Sequence, residues 1–134
     1  MISFHPKRGS LLMVTYEPGF KLPEMVKRRL AVVVSPPMSR RGDLVTVVAL
    51  STTPPNPSLL HHCEIDIPFA LPPQWQTRCW VKGDMVNAVG FHRCDLVQLG
   101  KAQNGERVYQ LTPLPPAIMD VIERCVKSAM GLKS

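Results

Sequence analysis

The sequence predicts a mainly β protein, a small antiparallel barrel of short strands that ends in one α-helix. Short runs of β-branched and aliphatic residues recur along the chain, separated by turn-forming residues that include many of its 14 prolines and 8 glycines. Helical periodicity occurs only in the C-terminal segment. With 134 residues, the chain has the length of a single domain, residues 1–134, built around one hydrophobic core.

The first three predicted strands occupy the N-terminal half. Residues 11–16 (LLMVTY) form a short run that ends at the turn signal Glu17-Pro18-Gly19. Residues 20–26 have no sustained period and read as a loop that leads into the basic triplet KRR and a second strand, stopped by two prolines. Residues 44–50 form the third strand, which is closed by the hydroxyl triplet STT.

The later elements follow from alternation and turn signals. Residues 62–67 alternate as in a half-buried strand, and residues 78–89 form a strand that Lys82-Gly83 interrupts with a bulge or kink. An Asn-Gly pair at Asn104 predicts a hairpin. The terminal helix spans about residues 115–131, with two prolines in its first turn and a glycine at its end, and its apolar face consists of Ile118, Val121, Ile122, Cys125, Val126 and Ala129.

Composition narrows the class of partner and the compartment. A net charge of +6 and a pI near 9.5 favour an anionic partner, RNA or DNA first, although a solvated basic surface has the same charge. Because the sequence contains neither a run of eighteen apolar residues nor a secretory signal, we expect a cytoplasmic protein that does not bind a membrane. The four cysteines show no metal-ligand spacing, so we expect reduced, buried thiols and no metal at Cys63, Cys79, Cys94 and Cys125.

The second and third strands carry the candidate site. If they pair antiparallel, the Arg29 end of one meets the Ser51 end of the other, which brings three cations beside three hydroxyls. Arginine donates in a planar fork and hydroxyls add adaptable hydrogen bonds, so this edge is suited to a phosphate. The alternative is that these are polar strand ends that face solvent.

Five segments in this order resemble the PemK/MazF family of toxin endoribonucleases from bacterial toxin–antitoxin modules. They are RGSLLMVTYEPG, PEMVKRRLAVVVSP, VVALSTTPP, HHCEIDIP and WVKGDMVNAVGFHR. They are similar, in turn, to the family's opening strand, its strand with a catalytic arginine, its strand end with a catalytic Thr or Ser, an edge strand and a long later strand. The sequence departs from the family pattern at Leu30, Ala49, Met85 and Asn87.

The resemblance implies a fold, an activity and partners. The fold is an SH3-like antiparallel barrel, about residues 6–112, with a C-terminal helix, in a homodimer. The activity is metal-independent cleavage of single-stranded RNA, in which the ribose 2′-OH attacks the adjacent phosphate, and it needs no cofactor. The catalytic arginine falls on Arg29 and the catalytic hydroxyl on Ser51, with Thr52 as its neighbour. The partners are RNA and a cognate antitoxin, with operator DNA bound only through the antitoxin complex.

Further residues are candidates for RNA contact, each with a simpler alternative. Adjacent histidines on a strand point to opposite faces, so at most one of His61 and His62 faces inward. The carboxylate of Glu24, in an exposed loop, is usually solvated. Basic residues at a turn are often solvated as well. The complete set of candidate RNA-binding residues is Glu24, Lys27, Arg28, His61, His62 and Lys82.

Two other functions compete with the nuclease. One is a catalytically inactive, SH3-like module that binds nucleic acid or a protein tail. The other is inhibition of DNA gyrase by a toxin of the same fold, whose hallmark is a C-terminal helix end rich in aromatic residues. The end of this chain, AMGLKS, has no aromatic residue, which disfavours the gyrase function.

Overall fold

The computed structural model describes residues 1–38, 40–57, 59 and 62–132. Within these residues, seven strands, one short 3₁₀ turn and one α-helix follow each other along the chain. They are β1 (Leu11–Val14), β2 (Arg29–Val33), β3 (Leu44–Ser51), β4 (His62–Asp66), β5 (Arg78–Gly90), the 3₁₀ turn Phe91–Arg93, β6 (Cys94–Lys101), β7 (Arg107–Gln110) and α1 (Pro116–Ala129). The predicted fold class, mainly β with a C-terminal helix, is confirmed.

The strands form one antiparallel sheet in the order β4-β5-β3-β2-β1-β6-β7. The three strands that the sequence identifies most clearly, β1, β2 and β3, therefore lie together in the sheet interior. The predicted interruption at Lys82-Gly83 is present, because β5 has extra residues between Val81 and Val86 where it pairs with β3. The predicted hairpin is also present as β6 and β7.

The sheet buries both of its faces, whereas the sequence predicts a single core. Alternate residues of each strand belong to different clusters, so that Leu30 and Leu50 lie in one cluster and Ala31 and Ala49 in the other. The helix α1 covers the first face, and the N-terminus with the β1–β2 loop covers the second. Burial on both faces explains why β2 and β3 are continuous apolar runs without polar alternation.

The cysteines divide into two kinds. Cys79 and Cys94 are free and buried, as predicted. The prediction of a reduced thiol is wrong for Cys63 and Cys125, which form a disulfide between β4 and α1 with their Cα atoms 6.4 Å apart. Their 62-residue separation conceals the contact in the sequence, because it depends on how α1 packs over the edge of the sheet.

No helix in the described part of the chain is both long enough and apolar enough to cross a membrane; α1 has 14 residues. The helix begins directly after Pro115 and is followed by Gly131, whose φ of 72° is the left-handed conformation that glycine adopts without strain. Both ends therefore follow the sequence signals.

Candidate active site

The polar ends of β2 and β3 lie side by side. The two strands pair antiparallel with Ala31 opposite Ala49. Two residues further along this register, Arg29 at the start of β2 comes beside Ser51 at the end of β3. The sheet therefore brings the basic triplet and the hydroxyl triplet together, as the sequence predicts.

A cavity of about 220 Å³ opens where these two strands end. Its wall combines the polar strand ends with apolar side chains from the interior. The residues that line it are Lys27, Arg28, Arg29, Leu30, Leu50, Ser51, Thr52, Thr53, Trp75 and Cys79. We refer to it as the β2–β3 cavity. Three cations and three hydroxyls around one small space match the donor set that a phosphate group requires.

Arg29 contributes a guanidinium without a fixed partner. Its side chain is half-buried, and its Nε is buried without a hydrogen-bond partner among the described residues. None of the ion pairs within the described ranges includes Arg29. Because no ion pair among the described residues neutralises it, the guanidinium can bind an anion that enters the cavity.

The hydroxyl groups at the end of β3 are in different states. Ser51 is buried, and its Oγ accepts a hydrogen bond from the Thr53 backbone N–H at 3.1 Å. The same hydroxyl lies 3.4 Å from the Thr53 carbonyl oxygen, to which it donates. Thr52 is exposed. Ser51 therefore shapes the turn that follows β3, and Thr52 presents the more accessible hydroxyl.

The two remaining cations differ in how far they are neutralised. Arg28 Nη2 lies 3.4 Å from the Asp95 carboxylate, which also pairs with the N-terminal ammonium of Met1. These groups are about half-exposed, so water screens the pair. Lys27 has no ion-pair partner in the described part of the chain. Lys27 and Arg29 therefore dominate the positive potential of the cavity.

The β1–β2 loop lies beside this site and is held by Arg93. The Arg93 guanidinium donates to the carbonyl oxygens of Thr15, Tyr16 and Pro18 at 3.2, 2.6 and 2.9 Å, and it lies 5.1 Å from the centre of the Phe20 ring. A guanidinium carries five N–H donors in a fixed plane, so one arginine can satisfy several carbonyls in a fixed arrangement. The loop is therefore fixed at the end nearest to β1.

Tyr16, within this loop, is completely buried and close to Arg29. Its ring packs edge-on against Phe20 at 5.2 Å, and its hydroxyl has no hydrogen-bond partner among the described residues. Burial, assisted by Cys94, raises the pKa of the Tyr16 phenol to about 12, and the charge of Arg29 acts in the opposite direction. The phenol is therefore neutral across the physiological range.

A larger groove of about 740 Å³ adjoins the β2–β3 cavity. The two share Arg28 and Trp75, and the groove continues over the N-terminus and along β6. Across the described residues, no three His, Cys, Asp or Glu side chains group closely enough to hold a metal ion.

Comparison with protein families provides the decisive observation. The sequence model of the family described as "PemK-like, MazF-like toxin of type II toxin-antitoxin system" matches residues 7–130. The chain belongs to this toxin family. The match extends from before β1 to the end of α1, so it covers every element of the sheet. No individual curated protein matches this PemK-like, MazF-like toxin.

Solved structures agree with this family in fold. A MazF from Deinococcus radiodurans has a TM-score of 0.64 at 17% identity, covering 97% of this toxin and 100% of that chain. An endoribonuclease in complex with its cognate antitoxin, from a mycobacterial species, has a TM-score of 0.59 at 19% identity, covering 96% and 98%. A second mycobacterial endoribonuclease has a TM-score of 0.58 at 19% identity, covering 96% and 94%.

Four of the predicted RNA-contact residues of this PemK-like toxin either do not line the cavity or lie outside the described residues. Glu24 is exposed and accepts from the Lys21 backbone N–H at 3.1 Å. His62 pairs with Lys82 across β4 and β5, and its Nδ1 accepts from the Leu59 N–H at 3.2 Å. None of Glu24, His62 and Lys82 is among the described residues that line the cavity. His61 lies outside the described residues.

Sequence reasoning missed several parts of the toxin's site. Asp95 and Arg93 belong to the segment after β5, which reads only as a polar turn. Trp75 comes from a proline-rich crossing with no periodicity, and its position on the cavity wall is a tertiary contact. The one available signal was Tyr16, a residue with a polar tip at the end of the first predicted strand, residues 11–16.

Proposed function

We propose that this toxin is an endoribonuclease that cleaves single-stranded RNA without a metal ion. In this reaction the ribose 2′-OH attacks the adjacent phosphorus, the bond to the 5′-oxygen breaks, and the products are a 2′,3′-cyclic phosphate and a 5′-OH end. The observation that carries the proposal is Arg29, which has no ion-pair partner among the described residues, beside the hydroxyls of Ser51 and Thr52 in one small cavity. An RNA phosphate supplies the acceptor that this donor set lacks.

Each cavity residue has a role that its environment supports. Arg29 donates to the phosphorane oxygens and to the leaving 5′-oxygen, where negative charge develops. Thr52 holds a non-bridging oxygen, and Ser51 fixes the turn that presents Thr52. Donors placed in advance where charge develops are worth about 3–4 kcal/mol each. The proton lost by the 2′-OH and the one gained by the 5′-oxygen are exchanged with water in the cavity.

The surrounding charges would bind the rest of the strand. Lys27 and Arg28 line the same cavity as Arg29, so they contact the phosphates on either side of the bond that is cut. Lys82 and His62, paired on neighbouring strands, contact RNA farther from the cavity, and the candidates Glu24 and His61 belong to the same outer set. A net charge of +6 makes this binding steeply dependent on salt.

The proposed partners follow from the family. Solved structures of the same fold include an endoribonuclease bound to its cognate antitoxin and a MazE–MazF complex from Deinococcus radiodurans. We therefore include a cognate antitoxin, a homodimer, a cytoplasmic location and operator DNA reached only through the antitoxin complex. An antitoxin segment that covers the β2–β3 cavity would displace RNA from Lys27 and Arg29.

The test is cleavage of a short single-stranded RNA in the presence of EDTA. We expect Arg29→Ala to lower kcat on the order of 10²–10³-fold, since it removes the main donor to the phosphorane. The matched control is Arg124→Ala, which removes an equal charge from the exposed face of α1. If the wild-type protein binds this RNA with steep salt dependence and leaves it intact, the chain is a non-catalytic binding module.

A further inference from the structure

Two buried polar atoms of the described residues lack partners, one on Arg29, which lines the β2–β3 cavity, and one on Tyr16 in the β1–β2 loop. Within the described residues, the Tyr16 hydroxyl oxygen and the Arg29 Nε are both shielded from solvent and form no hydrogen bond. More than nine in ten buried polar groups in proteins are satisfied, so an unpartnered hydroxyl in the β1–β2 loop and an unpartnered donor at the start of β2 require an explanation. Each costs on the order of 1–3 kcal/mol as it stands.

The sheet register places these two groups on the same side. β1 and β2 pair antiparallel with Val14 opposite Arg29, and Tyr16 lies two residues beyond Val14 in the chain. Alternate residues of an extended segment face the same way, and Val14 and Tyr16 belong to the same apolar cluster. The electrostatic influence of Arg29 on the Tyr16 phenol is consistent with this closeness.

The hydroxyl does nothing for the packing of the ring. Tyr16 packs in a cluster with Phe20, Met25 and Val14, all of them apolar. A phenylalanine would make the same contacts without burying an unsatisfied oxygen. The backbone carbonyl of Tyr16 accepts from Arg93 at 2.6 Å, so the backbone at this position is held independently of the hydroxyl.

We infer that Tyr16 is a positioning residue for Arg29, and that its hydroxyl oxygen accepts a hydrogen bond from Arg29 Nε–H when a phosphate occupies the cavity. Hydrogen bonds at catalytic sites are often long in the unbound protein and shorten in the complex. With Nε held from behind, the plane of the guanidinium is fixed and its two terminal nitrogens point into the cavity. A bidentate contact to a phosphate needs this orientation. The inference rests on the proposed function.

Tyr16→Phe separates positioning from packing. We expect kcat for RNA cleavage to fall on the order of tenfold to a hundredfold, as misplacement of a catalytic group does, while KM changes less than about twofold because the charge of Arg29 remains. The melting temperature should stay the same or rise, because an unsatisfied buried hydroxyl is removed. If Tyr16 has only a structural role, the substitution lowers the melting temperature or leaves kcat unchanged. An unchanged kcat overturns the inference, whether or not the melting temperature falls.

A second measurement needs no turnover. In the protein bound to an oligonucleotide whose 2′-OH groups are methylated, the Arg29 Nε–H signal in ¹⁵N NMR should exchange slowly with water. Tyr16→Phe should accelerate this exchange and shift the signal. Tyr109→Phe, which removes the oxygen of the chain's only other tyrosine, is the matched control and should change neither.

The two measurements distinguish the two proposals. A wild-type protein that cleaves RNA, with an Arg29 signal that is identical in Tyr16→Phe, overturns the role of Tyr16 and leaves the nuclease intact. A wild-type protein that does not cleave overturns the nuclease, and the Arg29 signal then still decides whether Tyr16 holds the guanidinium.

Discussion

The hydroxyl groups of Ser51 and Thr52 are adjacent in the chain but differ in what they already contact. Ser51 Oγ is engaged by the Thr53 backbone, and its side chain is only 6% exposed. Thr52 lies at the surface of the same cavity. A hydroxyl that already has both a donor and an acceptor has little to offer a substrate, so the two residues should respond differently to mutation.

We predict that Thr52→Val lowers kcat on the order of 10²-fold with an unchanged melting temperature, because it removes a phosphate donor and conserves side-chain shape. Thr52→Ser should restore most of the activity. Ser51→Ala should instead destabilise the fold by about 1 kcal/mol, the typical worth of one hydrogen bond. Steady-state cleavage and urea unfolding test all three variants. The two hydroxyls do not differ in role if Ser51→Ala lowers kcat as much as Thr52→Val does and leaves the free energy of unfolding unchanged.

The sequence predicts which residues meet at the site but not how each is used. Arg29 and Ser51 are identifiable because polar groups bound two apolar runs, and antiparallel pairing then brings them together. The hydrogen bonds of Ser51 depend on the dihedral angles of the turn after β3. The unpartnered Nε of Arg29 depends on what surrounds it in space. Neither property leaves a pattern in the sequence.

At the level of elements, the β1–β2 loop is held by Arg93, a residue of the 3₁₀ turn that follows β5. Arg93 reaches three of its carbonyls, and Gly19 gives the guanidinium room: a Cβ there would lie 2.7 Å from Arg93 Nη2. Gly19 also has a φ of 116°, which only glycine adopts without strain. The loop and the 3₁₀ turn are therefore matched to each other.

We predict that Arg93→Lys lowers the free energy of unfolding by about 2 kcal/mol, because an ammonium cannot satisfy the three carbonyls at their present positions. Amide hydrogen exchange should accelerate in residues 15–20 and stay unchanged in α1. Arg124→Lys is the control for the same substitution at an exposed site. Equal protection of the loop in Arg93→Lys and in the wild type would show that Arg93 does not hold it.

The elements that the sequence predicts well are those whose signal is local. β2 and β3 come from continuous apolar runs, the β6–β7 hairpin from Asn104-Gly105, and α1 from its 3.6-residue period. The disulfide between Cys63 and Cys125 was not predictable, because it depends on the packing of α1 over β4. Contacts between distant elements are set by the whole fold and not by any one segment.

At the level of the whole molecule, burial on both faces of the sheet disfavours the ionised form of three acidic side chains, two thiols and one phenol. Burial raises the pKa of the Cys79 and Cys94 thiols from 9.0 to about 11 and that of the Tyr16 phenol from 10.0 to about 12. The folded protein keeps these protons at pH values where the unfolded chain loses them. The stability they provide is complete below about pH 9 and is lost as the pH rises towards 12.

We therefore predict that the free energy of unfolding, measured with urea from pH 8 to pH 11.5, falls with increasing pH. The slope has an upper limit of about 1.4 kcal/mol per pH unit for each group that titrates. Tyr16→Phe should reduce the slope most above pH 10, where the unfolded phenol is mostly ionised, and leave it nearly unchanged between pH 8 and 9, where the thiols dominate. A stability that is constant up to pH 11 would contradict the burial of these groups.

The number of buried faces was the main global property that the sequence did not predict. A chain of this length suggests one core, but the N-terminus and the β1–β2 loop cover the outer face of β1, β2 and β3 with Ile2, Tyr16 and Met25. Ile2 and Met25 come from segments that read as irregular, and Tyr16 comes from the end of the first predicted strand. They pack against the same face of the sheet, and that face forms only after distant strands have paired.

The Cys63–Cys125 bond closes a covalent ring that contains β5, β6 and β7 and excludes β1, β2 and β3. Arg29 and Ser51 both belong to the open arm outside the ring. A single backbone break inside the ring would leave all pieces covalently tethered, whereas a break in the proline-rich connector at residues 53–57 would leave the open arm held by non-covalent contacts alone, chiefly the pairing of β3 with β5 and of β1 with β6. A cut in this connector therefore separates Arg29 and Ser51 covalently from the disulfide-closed ring.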